Sequence, residues 1–213
     1  MSLLVACLRE AQPGRVAEVR QAVQAQAATL ARQFSGTRRY EVLQGRAKSN
    51  LYLDLIEWDD PQAFEAARGA LDAALAERQH LFLRPAHLCV YEARGGVRLQ
   101  QRQPEAVGVG LIRARPGQEE AYAQRMCELV RTRFPEQPGL ITAGVYQDRA
   151  APQQFLIRNT WETAEALGAH QRWITHALFP LTDPLVERRE ILALLLHWSY
   201  QPAPASAGET VSA

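Results

Sequence analysis

The chain repeats itself. Displaced by 103 residues, it meets its own landmarks without a gap: Pro13-Gly14 falls on Pro116-Gly117, Gly36 on Gly139, Gln44 and Arg46 on Gln147 and Arg149, and Trp58 on Trp161. A period of this length is too long for a solenoid unit and has the size of a small domain. No other feature constrains the fold as strongly, because whatever one copy folds into, the other must follow. Each copy is also small enough for surface to dominate core, so the two gain by packing on each other.

Hydrophobic periodicity gives the elements. Leu3 to Leu8 is a short apolar run broken by Pro13-Gly14. Val16, Val19, Val23, Ala27 and Leu30 recur at helical spacing. Arg39–Leu43 and Leu51–Trp58 read as strands, and Asp59-Asp60-Pro61 as the start of a second helix with its seam at Phe64, Ala67, Leu71 and Leu75. Leu88–Tyr91 closes the copy as a strand. The second copy repeats this order from Val107 to Tyr200, with Thr163 capping a helix that runs to about Leu178 and an irregular stretch at Phe179–Val186. The expected domains are repeat 1 over 1–93, a linker over 94–105, repeat 2 over 106–200 and a disordered tail over 201–213. Each copy is β-α-β-β-α-β, the ferredoxin-like order. One bare sheet face per copy must be covered, and the partner copy is the simplest cover. The expected fold class is α+β: two ferredoxin-like repeats forming an intrachain pseudo-dimeric α+β barrel.

Composition excludes more than it suggests. Net charge is +1, which offers no nucleic-acid partner and no membrane-surface partner. Cys7, Cys89 and Cys127 match no metal or redox spacing and read as small buried hydrophobes in a reducing compartment. There is no secretory leader pattern and no apolar run long enough to span a membrane, so a cytoplasmic location is the default. A Gly-rich phosphate loop and a G-x-S-x-G elbow are both missing.

The segment Ile112-Arg-Ala-Arg-Pro-Gly117, a helix, Pro138-Gly139, a strand ending Thr160-Trp161-Glu162, then His170 and His176 on a helix, resembles the antibiotic biosynthesis monooxygenase (ABM) family. The resemblance covers each copy and is better in the second. It implies the dimeric α+β barrel, with two copies in one chain replacing a homodimer. The family mixes cofactor-independent oxygenases of aromatic polyketides, quinol monooxygenases, haem-degrading enzymes and proteins without known activity. The haem-degrading branch uses an Asn on the first strand, which this chain lacks in both copies, and a Trp and downstream His at a spacing absent here.

The copies disagree most on the last helix. Subtracting 103, His170 becomes Ala67, Trp173 becomes Ala70 and His176 becomes Ala73. Positions i, i+3 and i+6 step round a helix by about 60° each, which puts the three on one arc. The bland reading is drift at a helix edge. The functional reading is a pocket kept in copy two while copy one became scaffold, and the two His resemble a pair at the same spacing in the quinol-oxidising members. Asn159 and Trp161 share one strand face. Arg158, Tyr122 and Tyr146 add a cation and two phenols. Oxygenation without cofactor needs a base, which His suits, a donor for a developing oxyanion, and aromatic walls against water. The expectation is therefore a cofactor-independent monooxygenase of a small aromatic, quinol or polyketide-like substrate. His170, His176 and Asn159 would be the catalytic groups, and Trp161, Trp173, Arg158, Tyr146 and Tyr122 would bind substrate. No metal is expected, because two His six apart with no adjacent carboxylate do not make the usual pair. The alternative is a non-catalytic ligand- or haem-binding barrel. Whether the pseudo-dimer pairs again as a homodimer is left open.

Overall fold

The computed structural model describes residues 3–34 and 36–201; most of the tail expected to be disordered lies outside them. In copy one, β1 (Leu3–Glu10) leads through Pro13-Gly14 to α1 (Val16–Gln33), β2 (Thr37–Gly45), β3 (Leu51–Trp58), α2 (Pro61–Glu77) and β4 (Leu88–Arg98). Copy two repeats this with β5 (Ala106–Ala114), α3 (Glu119–Thr132), β6 (Leu140–Asp148), β7 (Gln154–Trp161), α4 (Ala164–Trp173) and β8 (Val186–Tyr200). Between α4 and β8 the chain widens into a π turn at Ile174–Leu178 and then forms the short helix α5 (Phe179–Thr182).

The repeated glycines are turn residues. Gly14 and Gly117 both have φ +78°, and Gly36 and Gly139 have +86° and +78°. An L side chain is strained there, so these positions recur in both copies for the backbone's sake. Helix starts follow the sequence signals. Asp60 accepts from the Gln62 N–H with Pro61 in the first turn, and Thr163 accepts from the Ala166 N–H.

The strands close into one barrel in the order β1-β3-β2-β8-β5-β7-β6-β4. Within each copy the order is that of a ferredoxin-like sheet. The copies then join edge to edge, β2 to β8 and β4 to β6, so neither sheet keeps a free edge. This changes one sequence boundary. Arg94–Arg98, expected in the linker, continues β4, with Gly95 to Arg98 pairing Val145 to Thr142 of β6 after a register shift. The edge of the other copy supplies this pairing, and no local pattern announces it.

Three apolar layers result. The barrel lumen is filled by side chains such as Leu4, Leu43, Leu53, Leu55, Val107, Val109, Leu156 and Leu194. On the outside, α1 and α2 pack on the sheet of copy one around Trp58 and Phe64. The helices of copy two pack likewise around Trp161, Tyr122 and Phe134. No helix of the described residues is long and apolar enough to cross a membrane.

Candidate functional site

Two glycines open the space. On β5, Gly108 and Gly110 stand two apart and face the helices, where copy one has Val5 and Cys7 packed in its helix layer. Removing two side chains from the floor of a helix–sheet interface leaves room above it. A cavity of about 40 Å³ lies there among Gly108, Gly110, Tyr122, Asn159, Leu167 and His170. It extends under the π turn to Phe179 and Arg189.

His170 forms its polar wall. It comes from the inward face of α4 and is 1% exposed. Aromatic rings surround it: Trp161 at 4.4 Å, Phe134 at 5.0 Å edge-on, and Trp173 stacked at 5.3 Å between ring centroids. Neither ring nitrogen has a hydrogen-bond partner among the described residues. Burial in this apolar setting lowers its pKa to about 3, so the imidazole is neutral near pH 7. Asn159, opposite on β7, accepts the Trp161 Nε1–H at 2.6 Å. It fits because position 108 has no side chain: a Cβ there would lie 2.2 Å from Asn159 Oδ1. Tyr122 lines the cavity from α3 against Phe155, and burial raises its phenol pKa above the ordinary range.

The residues grouped from sequence therefore separate. His170, Asn159 and Tyr122 line one cavity, with Trp161 and Trp173 packed on His170. His176 does not join them and is exposed. Six residues at about 100° each place it roughly 120° from His170, too far round to share a face, and the π turn intervenes. Arg158 and Tyr146 also lie elsewhere. Asn159 and Trp161 face the helices, so Arg158 between them faces the lumen, with Glu41 at 2.6 Å. Tyr146 packs with the lumen side chains.

Sequence reasoning missed Gly108, Gly110, Phe134 and Arg189. The glycines carried a readable signal, since Gly at i and i+2 inside a strand marks a close approach or an open face. Phe134 replaces Ala31, so with His170 itself and Trp173 it is the third position of this aromatic group where copy one has alanine. Arg189 lies over the Phe179 ring at 3.8 Å and pairs with Asp183, fastening the segment after the π turn to β8.

The same place in copy one is filled. Val5 and Cys7 replace the glycines and Ala67 replaces His170. Ile112 and Ile157, both in the cavity wall, are matched by Arg9 and Asp54, which form a buried ion pair. Arg9 also reaches Gln26 of α1 at 3.4 Å. No cluster of His, Cys, Asp and Glu among the described residues is arranged to hold a metal ion.

A closed barrel of two ferredoxin-like sheets with helices outside defines a dimeric α+β barrel built within one chain. The model of the antibiotic biosynthesis monooxygenase family matches residues 1–76 and 107–173, and the chain belongs to that family. No curated relative matches the sequence. Among solved structures, a candidate monooxygenase from Fusobacterium nucleatum superposes with TM-score 0.77 at 11% identity, covering 94% of each chain. An anthrone oxidase-like protein gives TM-score 0.74 at 12% identity, covering 94% of this chain and 93% of its own. A haem-degrading enzyme from Listeria monocytogenes gives TM-score 0.51 at 13% identity, covering 90% and 98%. At these identities the likeness speaks for the fold.

Proposed function

We propose that the chain is a cofactor-independent monooxygenase of a small aromatic, anthrone-like or quinol substrate, with its one site in copy two. The observation that carries this reading is His170: a neutral, buried imidazole with both nitrogens unpartnered, facing a cavity that two strand glycines keep open. Unsatisfied buried polar groups are costly, and their retention at a cavity wall favours a bound partner.

The chemistry follows from the groups present. An activated carbon or phenol gives its proton to the free imidazole nitrogen. Burial makes His170 a weak base while the site is empty, and an anion formed beside it stabilises the imidazolium. Asn159 Oδ1 is engaged by Trp161, which leaves the amide N–H groups to donate to the developing oxyanion. The substrate anion reduces oxygen. For an anthrone-type carbon, one oxygen atom becomes the new carbonyl and the other leaves as water with the two hydrogens of that carbon. The apolar wall of Ile174, Leu178 and Phe179 excludes solvent from this step. At about 40 Å³ the cavity is far below the roughly 300–1,000 Å³ of small-molecule sites, so a ring-sized substrate requires the wall at Ile174–Leu178 and α5 to move outward. π turns recur at functional sites, and this one lies over the cavity.

Oxygen uptake with anthrone and hydroquinone panels tests the proposal. Turnover lost in His170→Ala and kept in His176→Ala is the expected result. Equal turnover in wild type and His170→Ala would remove His170 as base. If no panel member is oxidised and haem titration gives a Soret shift that depends on His170, the haem-binding alternative replaces the proposal.

A further inference from the structure

The two residues that the fold removes from the His170 cavity line another one. Arg158 and Tyr146 face an open groove of about 460 Å³ at one end of the barrel, by the β4–β6 seam, with Arg38, Glu57, Gly96 and Arg98. That volume falls within the roughly 300–1,000 Å³ of small-molecule sites.

The repeat again shows what the scaffold requires. Copy one places Leu43 and Leu55 in the lumen where copy two places Tyr146 and Arg158. Gly144 stands where copy one has Glu41, and Gly96 pairs with it across the seam. Both positions are crowded: a Cβ on Gly96 would lie 2.7 Å from the Ala143 carbonyl oxygen, and one on Gly144 would lie 2.7 Å from the Tyr146 ring and displace it. The seam wall is bare backbone. Arg158 is 4% exposed. Its Nη2 donates to both Glu41 oxygens at 2.8 and 2.6 Å, Nη1 lies 3.7 Å from Glu57, and Nε has no acceptor among the described residues. A guanidinium in a lumen that leucine fills in the other copy is costly to stability, and its unpaired N–H adds to that cost. At the rim, Arg38 and Arg94 have carboxylate partners in Asp59 and Glu120, whereas Arg98 has none among the described residues.

We infer that this end of the barrel is a second binding site, for a small monocarboxylate, with the acid group between Arg98 and the Arg158 Nη1–H groups and the body of the molecule against Tyr146. Glu57 in the same wall repels a second negative charge and accepts from a hydroxyl or amino group beside the acid. A hydroxy acid therefore fits better than a dianion. The site is independent of the oxygenation proposed at His170, because β7 separates the two cavities.

The test is a titration of the full chain with lactate, and with succinate as the dianion, at constant ionic strength and read by amide NMR shifts. Saturable shifts at Gly95–Arg98 and Gly144 are expected with lactate, weaker with succinate. Arg98→Gln, an exposed position that leaves the fold intact, should weaken lactate by about tenfold or more, as loss of a charge-assisted hydrogen bond does. His170→Ala should leave lactate binding unchanged. Shifts that never saturate, or that are the same in Arg98→Gln, would overturn the inference.

Discussion

Replacing His170 by Phe should change how stability depends on pH, and the size of the change follows from the site. The unfolded imidazole titrates near 6.5, while in the folded chain desolvation holds it at about 3. The folded pKa is depressed for a base, so between these values the unfolded state binds a proton that the folded state refuses. Stability therefore rises with pH through this window and is lost as pH falls below about 6.5. At pH 5 the loss relative to pH 7 is about 2 kcal/mol, obtained by integrating the two titrations. The figure is insensitive to the folded value so long as that lies below about 4, because the unfolded imidazole alone then sets it. Phe keeps a ring among Trp161, Phe134 and Trp173 and removes both unpartnered nitrogens. At pH 7 it should stabilise the chain by up to about 1–3 kcal/mol while abolishing oxygen uptake. Urea unfolding of both proteins at pH 5, 6 and 7 isolates the effect, since the carboxylates common to both cancel in the difference. The advantage of the Phe variant should grow by about 2 kcal/mol from pH 7 to pH 5. A difference that stays flat over that range would mean His170 is already charged or water-satisfied when folded, and would refute the desolvation argument.

Asn159→Leu should cost about 1–3 kcal/mol, because it strands the buried Trp161 indole N–H; unchanged urea midpoints would show that the hydrogen bond contributes nothing net. Gly108→Ala should lower the melting temperature and weaken ligand binding together, since its Cβ meets Asn159 Oδ1 at 2.2 Å. Thr163→Ala should cost about 1 kcal/mol through loss of the α4 cap, measured by thermal unfolding.

Much of the fold was legible in the sequence because the signals were local and occurred twice. The glycine turns, the Asp60 and Thr163 caps and the seam of each helix depend on neighbours in the chain. The extension of β4 was not legible, because Arg94–Arg98 becomes strand only when the edge of β6 pairs with it. The site was legible in part for a similar reason. His170 stood out because Ala67 occupies its place in copy one, and Asn159 with Trp161 could be put on one face by strand parity. The same parity excludes Arg158, as the helical angle excludes His176. Those two residue types suited the chemistry while their geometry pointed elsewhere. Gly108 and Gly110 went unread because a cavity is made by what a residue lacks.

The cavity in copy two and the ion pair in copy one are alternative fillings of the same interface. Arg9 and Asp54 stand where Ile112 and Ile157 stand. Replacing either charged residue alone should cost about 3–5 kcal/mol, because it leaves an uncompensated buried charge. Replacing both by Ile should be neutral or stabilising by up to about 4 kcal/mol, as apolar substitutes for buried pairs often are. Copy two already shows that this backbone accepts the Ile pair. The charges in copy one are then not a requirement of the barrel. They are one way to occupy the space that stays open in copy two, with Val5 and Cys7 closing the rest of the floor. A double-mutant cycle measured by urea unfolding decides the point. If the double Ile variant is as unstable as the single ones, Arg9 and Asp54 are held by interactions beyond each other, Gln26 first among them, and copy one retains a polar site of its own rather than a plug.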